Sequence, residues 1–223
     1  FDRARRLTPS QALAVGLEAC RALDYAHRRG FVHTEINPSK LVFGDDRRLR
    51  VVDFGISRLL GERDWANPEG VATHVAWYSA PEQGQGAMTD GTVDGAADVY
   101  ALGLVLHEAV TGTLPFKADS TVATLAQRTG RLMPVSADLG PLASVLERAG
   151  RPDPTERSTA AEFGKAYFQW FVDNLYIVGG HGLGMQPFII HNTIANFPKD
   201  ADLYFGSDNN FFQPYNPELL YRK

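Results

Sequence analysis

Hydrophobic positions along the chain predict a mainly helical body. Leu13, Leu17, Cys20 and Leu23 follow roughly the spacing of one helix face, and Gly30 is expected to end that helix. The run from Asp98 to Thr111 is apolar almost all round, which predicts a buried helix at the hub of the core. Three further helices are expected between Gly- and Pro-containing turns. These are Thr121–Thr129, Leu139–Arg148 and Ser158–Ala166.

Strand signals are short and few. The β-prone runs are Phe31–His33, Leu41–Phe43 and Leu49–Val52, with a turn predicted at Gly44-Asp45-Asp46. Ile56–Trp77 is mostly polar without a steady period and is interpreted as a long loop. The predicted fold class is therefore α+β, mainly α with a minor β element.

Composition divides the chain near Ala166. Residues 167–223 hold six of the eight Asn, more than half of the aromatic residues and a single Arg. We expect a body over residues 1–166 and an appended C-terminal segment of unknown fold over residues 167–223. The aromatic content of this segment argues against disorder.

Charge and cysteine content exclude several classes of function. A net charge of −4 with interspersed acids and bases gives no sign of nucleic-acid binding. Cys20 is the single cysteine, so no internal disulfide is possible and a reducing, cytoplasmic setting is expected. No apolar run is long enough to predict a membrane segment. Because the chain begins at Phe1 rather than Met, we expect a fragment.

Five motifs follow one another in the first 160 residues or so. They are HTEINPSKLVF from His33, Asp53-Phe54-Gly55, Ala80-Pro81-Glu82, DVYALG from Asp98, and RPDPTER with Arg157. Their order and spacing resemble the catalytic loop, D-F-G and A-P-E motifs of a protein kinase. The chain from Leu7 to Ala166 resembles the C-terminal lobe of a bacterial Hanks-type Ser/Thr protein kinase.

The resemblance implies structural roles for several of these residues. His33 and Phe54 would pack together in the hydrophobic spine of the kinase. Asp98 would accept hydrogen bonds from the catalytic-loop backbone, and Glu82 would form a buried ion pair with Arg157.

The resemblance also implies that the chemical positions have changed. Glu35 stands where a kinase has its catalytic Asp, and a shift of about an ångström in that carboxylate can cost on the order of 100-fold in rate. Asn37 replaces a Lys near the transferred phosphoryl group. Lys40 replaces the Asn that is the second metal ligand, and an ammonium cannot ligate magnesium. Asp53 remains as the one expected Mg²⁺ ligand.

Two further positions depart from the kinase pattern. Thr34 replaces the Arg that usually receives an activation-loop phosphate. Val75 replaces a Thr whose hydroxyl would contact the catalytic residues. Together with the three catalytic-loop changes, these favour a pseudokinase.

No glycine-rich loop, strand Lys or helix Glu precedes Leu7, so we expect the N-terminal lobe to be absent. Mg-ATP binding would be possible only with that lobe, and no cofactor is expected for this chain alone. The leading hypothesis is a pseudokinase-like signalling scaffold that binds protein partners. A second is a fragment of a weakly active Ser/Thr kinase with Glu35 as base and Asp53 on magnesium. A third is a fusion whose tail is functionally unrelated.

Overall fold

The structure is a computed structural model, and it describes part of the chain. The described residues are 6–7, 9–46, 48–54, 71–85, 93–135, 139, 142–166 and 169. Gly55, most of the predicted loop after it and, apart from residue 169, the predicted appendage at 167–223 lie outside these ranges.

Two helices form the centre of the described body. Helix α1 (Pro9–His27) begins at a proline, whose missing N–H costs nothing in the first turn. Helix α3 (Gly95–Thr111) packs against α1, and twelve of its 17 residues are buried. It starts three residues before the predicted start because Asp94 caps it by accepting a hydrogen bond from the Ala96 N–H at 2.8 Å. It ends at Gly112, whose φ of 73° suits glycine.

The described sheet has two short antiparallel strands. Strand β1 (Leu41–Phe43) follows a 3-10 turn (Pro38–Lys40) and pairs with β2 (Leu49–Val51). Leu41 lies opposite Val51 and Phe43 opposite Leu49. Leu41 and Leu49 are buried and pack into the core between α1 and α3.

The strand predicted at Phe31–His33 is wrong. The N–H of Phe31 donates to the carbonyl of Ala26 and thereby closes the end of α1. The N–H of His33 donates to the side chain of Asp98 rather than to a neighbouring strand. A β-prone sequence therefore forms an irregular loop because its donors have other partners.

Shorter helices complete the described part of the chain. They are α2 (Thr73–Ala76), α4 (Thr121–Arg128), α5 (Leu142–Ala149) and α6 (160–166), with 3-10 turns at Pro81–Gln85 and Pro154–Glu156. Helix α2 lies within the predicted loop, and α5 starts later than predicted. No helix in the described ranges combines the length and the apolar character needed to span a bilayer.

Candidate active site

Asp98 in the first turn of α3 holds the loop that follows His33. Its carboxylate has no exposed surface. Oδ2 accepts a hydrogen bond from the His33 N–H at 2.8 Å, and Oδ1 accepts one from the Thr34 N–H at 2.7 Å. His27 at the end of α1 adds a third contact, with Nε2 lying 2.8 Å from Oδ2. Sequence reasoning missed His27, since a histidine at the end of a helix usually indicates a solvated position.

The His33 side chain connects this loop to the residues after β2. Its Nε2 lies 2.8 Å from the Val52 carbonyl, and its Nδ1 accepts a hydrogen bond from the Glu35 N–H at 3.2 Å. The imidazole packs edge-on against Phe54, with the ring centroids 4.8 Å apart. The structure therefore brings together His33, Phe54 and Asp98.

Lys40 and Asp53 form an ion pair at the position of the expected metal site. The Nζ atom of Lys40 lies 2.5 Å from Oδ2 of Asp53. The two backbones are held close because the Val52 N–H donates to the Lys40 carbonyl at 3.0 Å. Asp53 has a φ of 66°, in the left-handed region, which few non-glycine residues adopt and which Asp tolerates better than most. The pair is partly exposed, with 22% of the Lys40 side chain and 42% of that of Asp53 accessible.

Asn37 uses its side chain to shape the loop. Its Oδ1 accepts hydrogen bonds from the Ser39 N–H at 2.9 Å and the Ser39 hydroxyl at 2.6 Å. Its Nδ2 donates to the Glu35 carbonyl at 3.0 Å. The side chain therefore caps the 3-10 turn. Glu35 lies half-buried between this turn and His33.

These residues do not fit a magnesium ion. Mg²⁺ requires oxygen ligands in a near-octahedral arrangement. In the structure the second ligand position carries an ammonium, and that ammonium already contacts the Asp53 carboxylate. No group of three or more His, Cys, Asp or Glu side chains suited to a metal occurs among the described residues.

Glu82 and Arg157 join the A-P-E segment to the end of the described body. The guanidinium forms a bidentate pair with the carboxylate, at 2.6 Å and 2.8 Å. The Arg157 side chain has no exposed surface, and that of Glu82 is 12% exposed. Arg157 also donates to three carbonyl groups. They belong to Ala96, Arg151 and Pro152. Ala80 and Pro81, the other two residues of the motif, are buried beside Glu82.

Arg128 at the end of α4 is a buried residue that sequence reasoning missed. Its guanidinium donates to the carbonyl groups of Ala76, Trp77 and Ser79, each at 2.5 Å. Burial lowers its pKa to about 10. An arginine in the last turn of a helix usually indicates a solvated position, so no local pattern predicts this contact.

Val75 occupies an apolar environment rather than a polar one. Its side chain is buried with Val71, Ala76 and Leu125. A threonine hydroxyl would bring a polar group into this cluster.

Residues 1–168 match the family described as the protein kinase domain. The chain belongs to the Hanks-type Ser/Thr protein kinase family of bacteria. It is 36% identical to serine/threonine-protein kinase PknB of Mycolicibacterium smegmatis over 164 residues, which are 70% of this chain and 25% of that protein. It is also 36% identical to serine/threonine-protein kinase PknJ of Mycobacterium bovis over 178 residues, or 74% of this chain and 29% of that protein.

The PknB protein of Mycobacterium tuberculosis is a third relative, 33% identical over 165 residues. The chain spans about a quarter of the length of these curated relatives. The family predicted from the motifs is therefore confirmed, whereas catalytic competence depends on the residues described above.

Proposed function

We propose that residues 1–166 form the C-terminal lobe of a pseudokinase, which acts as a signalling scaffold for protein partners and does not transfer phosphate. The segment 167–223 is, in this proposal, a separate appendage. The observation that carries the proposal is the ion pair between Lys40 and Asp53. We also propose a reducing, cytoplasmic setting, because Cys20 is the single cysteine and is buried.

The ion pair disfavours a metal for two reasons. The ammonium of Lys40 has no lone pair with which to ligate Mg²⁺. It also neutralises Asp53, so the two side chains together present no net negative charge to a cation. At a given separation, a divalent cation is repelled by Lys40 with twice the energy that a monovalent cation would be.

The framework around this site is retained although the chemical positions are changed. Asp98 holds the loop backbone, and Glu82 pairs with Arg157. Neither interaction requires a metal or a nucleotide. A binding scaffold requires a stable lobe surface and does not require a metal site, so this combination supports the proposal.

A weakly active kinase is the alternative, favoured by one observation. Glu35 and Asp53 keep carboxylates at the positions of the base and of a metal ligand. In that case Glu35 would act as the base, and its longer side chain would lower the reaction rate on the order of 100-fold. Mg-ATP would then require an N-terminal lobe as well.

A phosphoryl-transfer assay on the full-length protein distinguishes the two. The wild-type protein and an Asp53→Asn variant would be incubated with Mg²⁺, radiolabelled ATP and a general acceptor protein. The proposal predicts equal background labelling for both proteins. Labelling by the wild type that is abolished in Asp53→Asn would show a weak kinase, because a contaminating kinase would label equally in both samples.

A further inference from the structure

Gln83 forms a bridge between two segments that are distant in sequence. Its side chain is buried, with 1% of its surface exposed. The amide oxygen accepts a hydrogen bond from the Ala80 N–H at 2.8 Å, and the amide nitrogen donates to the Thr34 carbonyl at 2.8 Å. Both ends of the amide are therefore satisfied. Leaving either backbone partner without its hydrogen bond would be costly in a buried site.

Thr34 is held from both sides. Its N–H donates to Asp98, and its carbonyl accepts from Gln83. Its φ of 67° lies in the left-handed region, which is unfavourable for a residue with a branched side chain. Such a conformation persists only where neighbouring groups fix it, and the two hydrogen bonds do so here.

The segment that carries Gln83 is also held in place by buried side chains. Arg128 donates to the carbonyls of Ala76, Trp77 and Ser79, and Glu82 pairs with Arg157. The segment 76–83 is thus attached to helices α3 and α4 and to the turn before Arg157 by buried side chains. A rigid segment is able to hold its partner loop in place.

We propose that Gln83 is a positioning residue that couples the catalytic-loop backbone to the end of the activation segment without a phosphate. Thr34 carries no cation that could receive a phosphate, but its backbone is joined to the same segment by a neutral amide. The contact between loop and segment is consequently independent of phosphorylation. This inference does not rest on the absence of phosphoryl transfer, since the bridge has the same effect in an active or an inactive protein.

Hydrogen exchange of the peptide covering residues 31–36 tests the bridge. The rates are corrected for intrinsic exchange. In Gln83→Met, which keeps the volume but removes both hydrogen bonds, this peptide should exchange about tenfold faster than in wild type. Phosphatase treatment of the wild type should leave its exchange unchanged. Unchanged exchange in Gln83→Met, or loss of protection after phosphatase treatment, would overturn the proposal.

A second variant separates hydrogen bonding from packing. In Gln83→Glu a protonated carboxyl group can still donate to the Thr34 carbonyl, whereas an ionised one cannot. Because burial raises the pKa of a carboxyl group at this position, protection should match wild type at pH 5 and be lost at pH 9. The control is Gln127→Glu, the same change at a half-exposed position of α4, which should behave as wild type at both pH values. Equal protection of Gln83→Glu at both pH values would show that the side chain only fills space.

Discussion

Arg157 and Glu82 meet through two parallel hydrogen bonds of 2.6 Å and 2.8 Å, although 75 residues separate them. The guanidinium is completely buried. This pair links the A-P-E segment to the turn that follows α5. Because the cation has lost its hydration, its stability depends on the carboxylate and on the carbonyl groups around it.

Removing the Glu82 carboxylate should therefore strongly destabilise the folded protein. We expect Glu82→Ala to lower the free energy of unfolding by about 3–5 kcal/mol, since it leaves a buried charge without its partner. Urea denaturation of the full chain measures this loss. The control is Glu156→Ala, which removes the exposed pair with Arg151 at 3.3 Å and should cost less than about 1 kcal/mol. Equal losses in the two variants would contradict the structural role of the buried pair.

His107 should make stability depend on pH. Burial lowers its pKa below the ordinary value of 6.5, although a contact of Nδ1 with the Thr113 carbonyl at 3.0 Å partly opposes the shift. The unfolded chain then binds the proton more tightly than the folded chain does. The contribution of neutral His107 to the free energy of unfolding is therefore fully present above pH 6.5. It is lost as the pH falls towards the lowered pKa of the folded state.

The difference in unfolding free energy between wild type and His107→Gln, measured from pH 8 to pH 5, isolates this effect. We expect the wild type to lose more stability than the variant below pH 6.5. His74→Gln, at an exposed position of α2, should follow the wild type. Parallel curves of unfolding free energy against pH for wild type and His107→Gln would contradict this prediction, because they would show that folding does not change the protonation of His107.

Cys20 should be unreactive in the folded chain. The thiol lies on α1 and is fully buried in the hydrophobic core, and burial raises its pKa. Because it is the only cysteine, its reaction with a thiol reagent reports a single site. At pH 8 we expect the native protein to be labelled no faster than it unfolds, and the protein in denaturant to be labelled rapidly. Rapid labelling of the native protein would show that this part of α1 is open to solvent.

Local patterns and motifs predicted much of this protein because they depend on nearby residues. The buried helix at Asp98–Thr111 was evident from its apolar run, and its observed extent, Gly95–Thr111, is close to the prediction. The order of the motifs was sufficient to predict the kinase family. The structure also brings His33 to Phe54, although these residues are far apart in sequence.

Contacts made across the fold could not be predicted in the same way. The sequence predicts that Lys40 cannot ligate a metal, but the pairing of Lys40 with Asp53 depends on the register of the β1–β2 hairpin. Gln83 and Arg128 donate hydrogen bonds to carbonyl groups about 50 residues away in sequence. Neither residue lies in a local pattern that predicts its burial. The error at Phe31–His33 has the same origin, since the partner of the His33 N–H is 65 residues away in α3.

The most direct test of the altered metal site is binding of Mn²⁺, followed by broadening of backbone amide signals in NMR spectra of the full chain. Paramagnetic broadening detects weak binding. Lys40→Asn supplies an oxygen ligand and leaves the negative charge of Asp53 without a neutralising cation. The control is Lys165→Asn, which removes a lysine at an exposed position of α6. We predict selective broadening around residues 52–54 in Lys40→Asn, and none in the wild type or in Lys165→Asn. Equally strong selective broadening at Asp53 in the wild type would show that Lys40 does not exclude the metal.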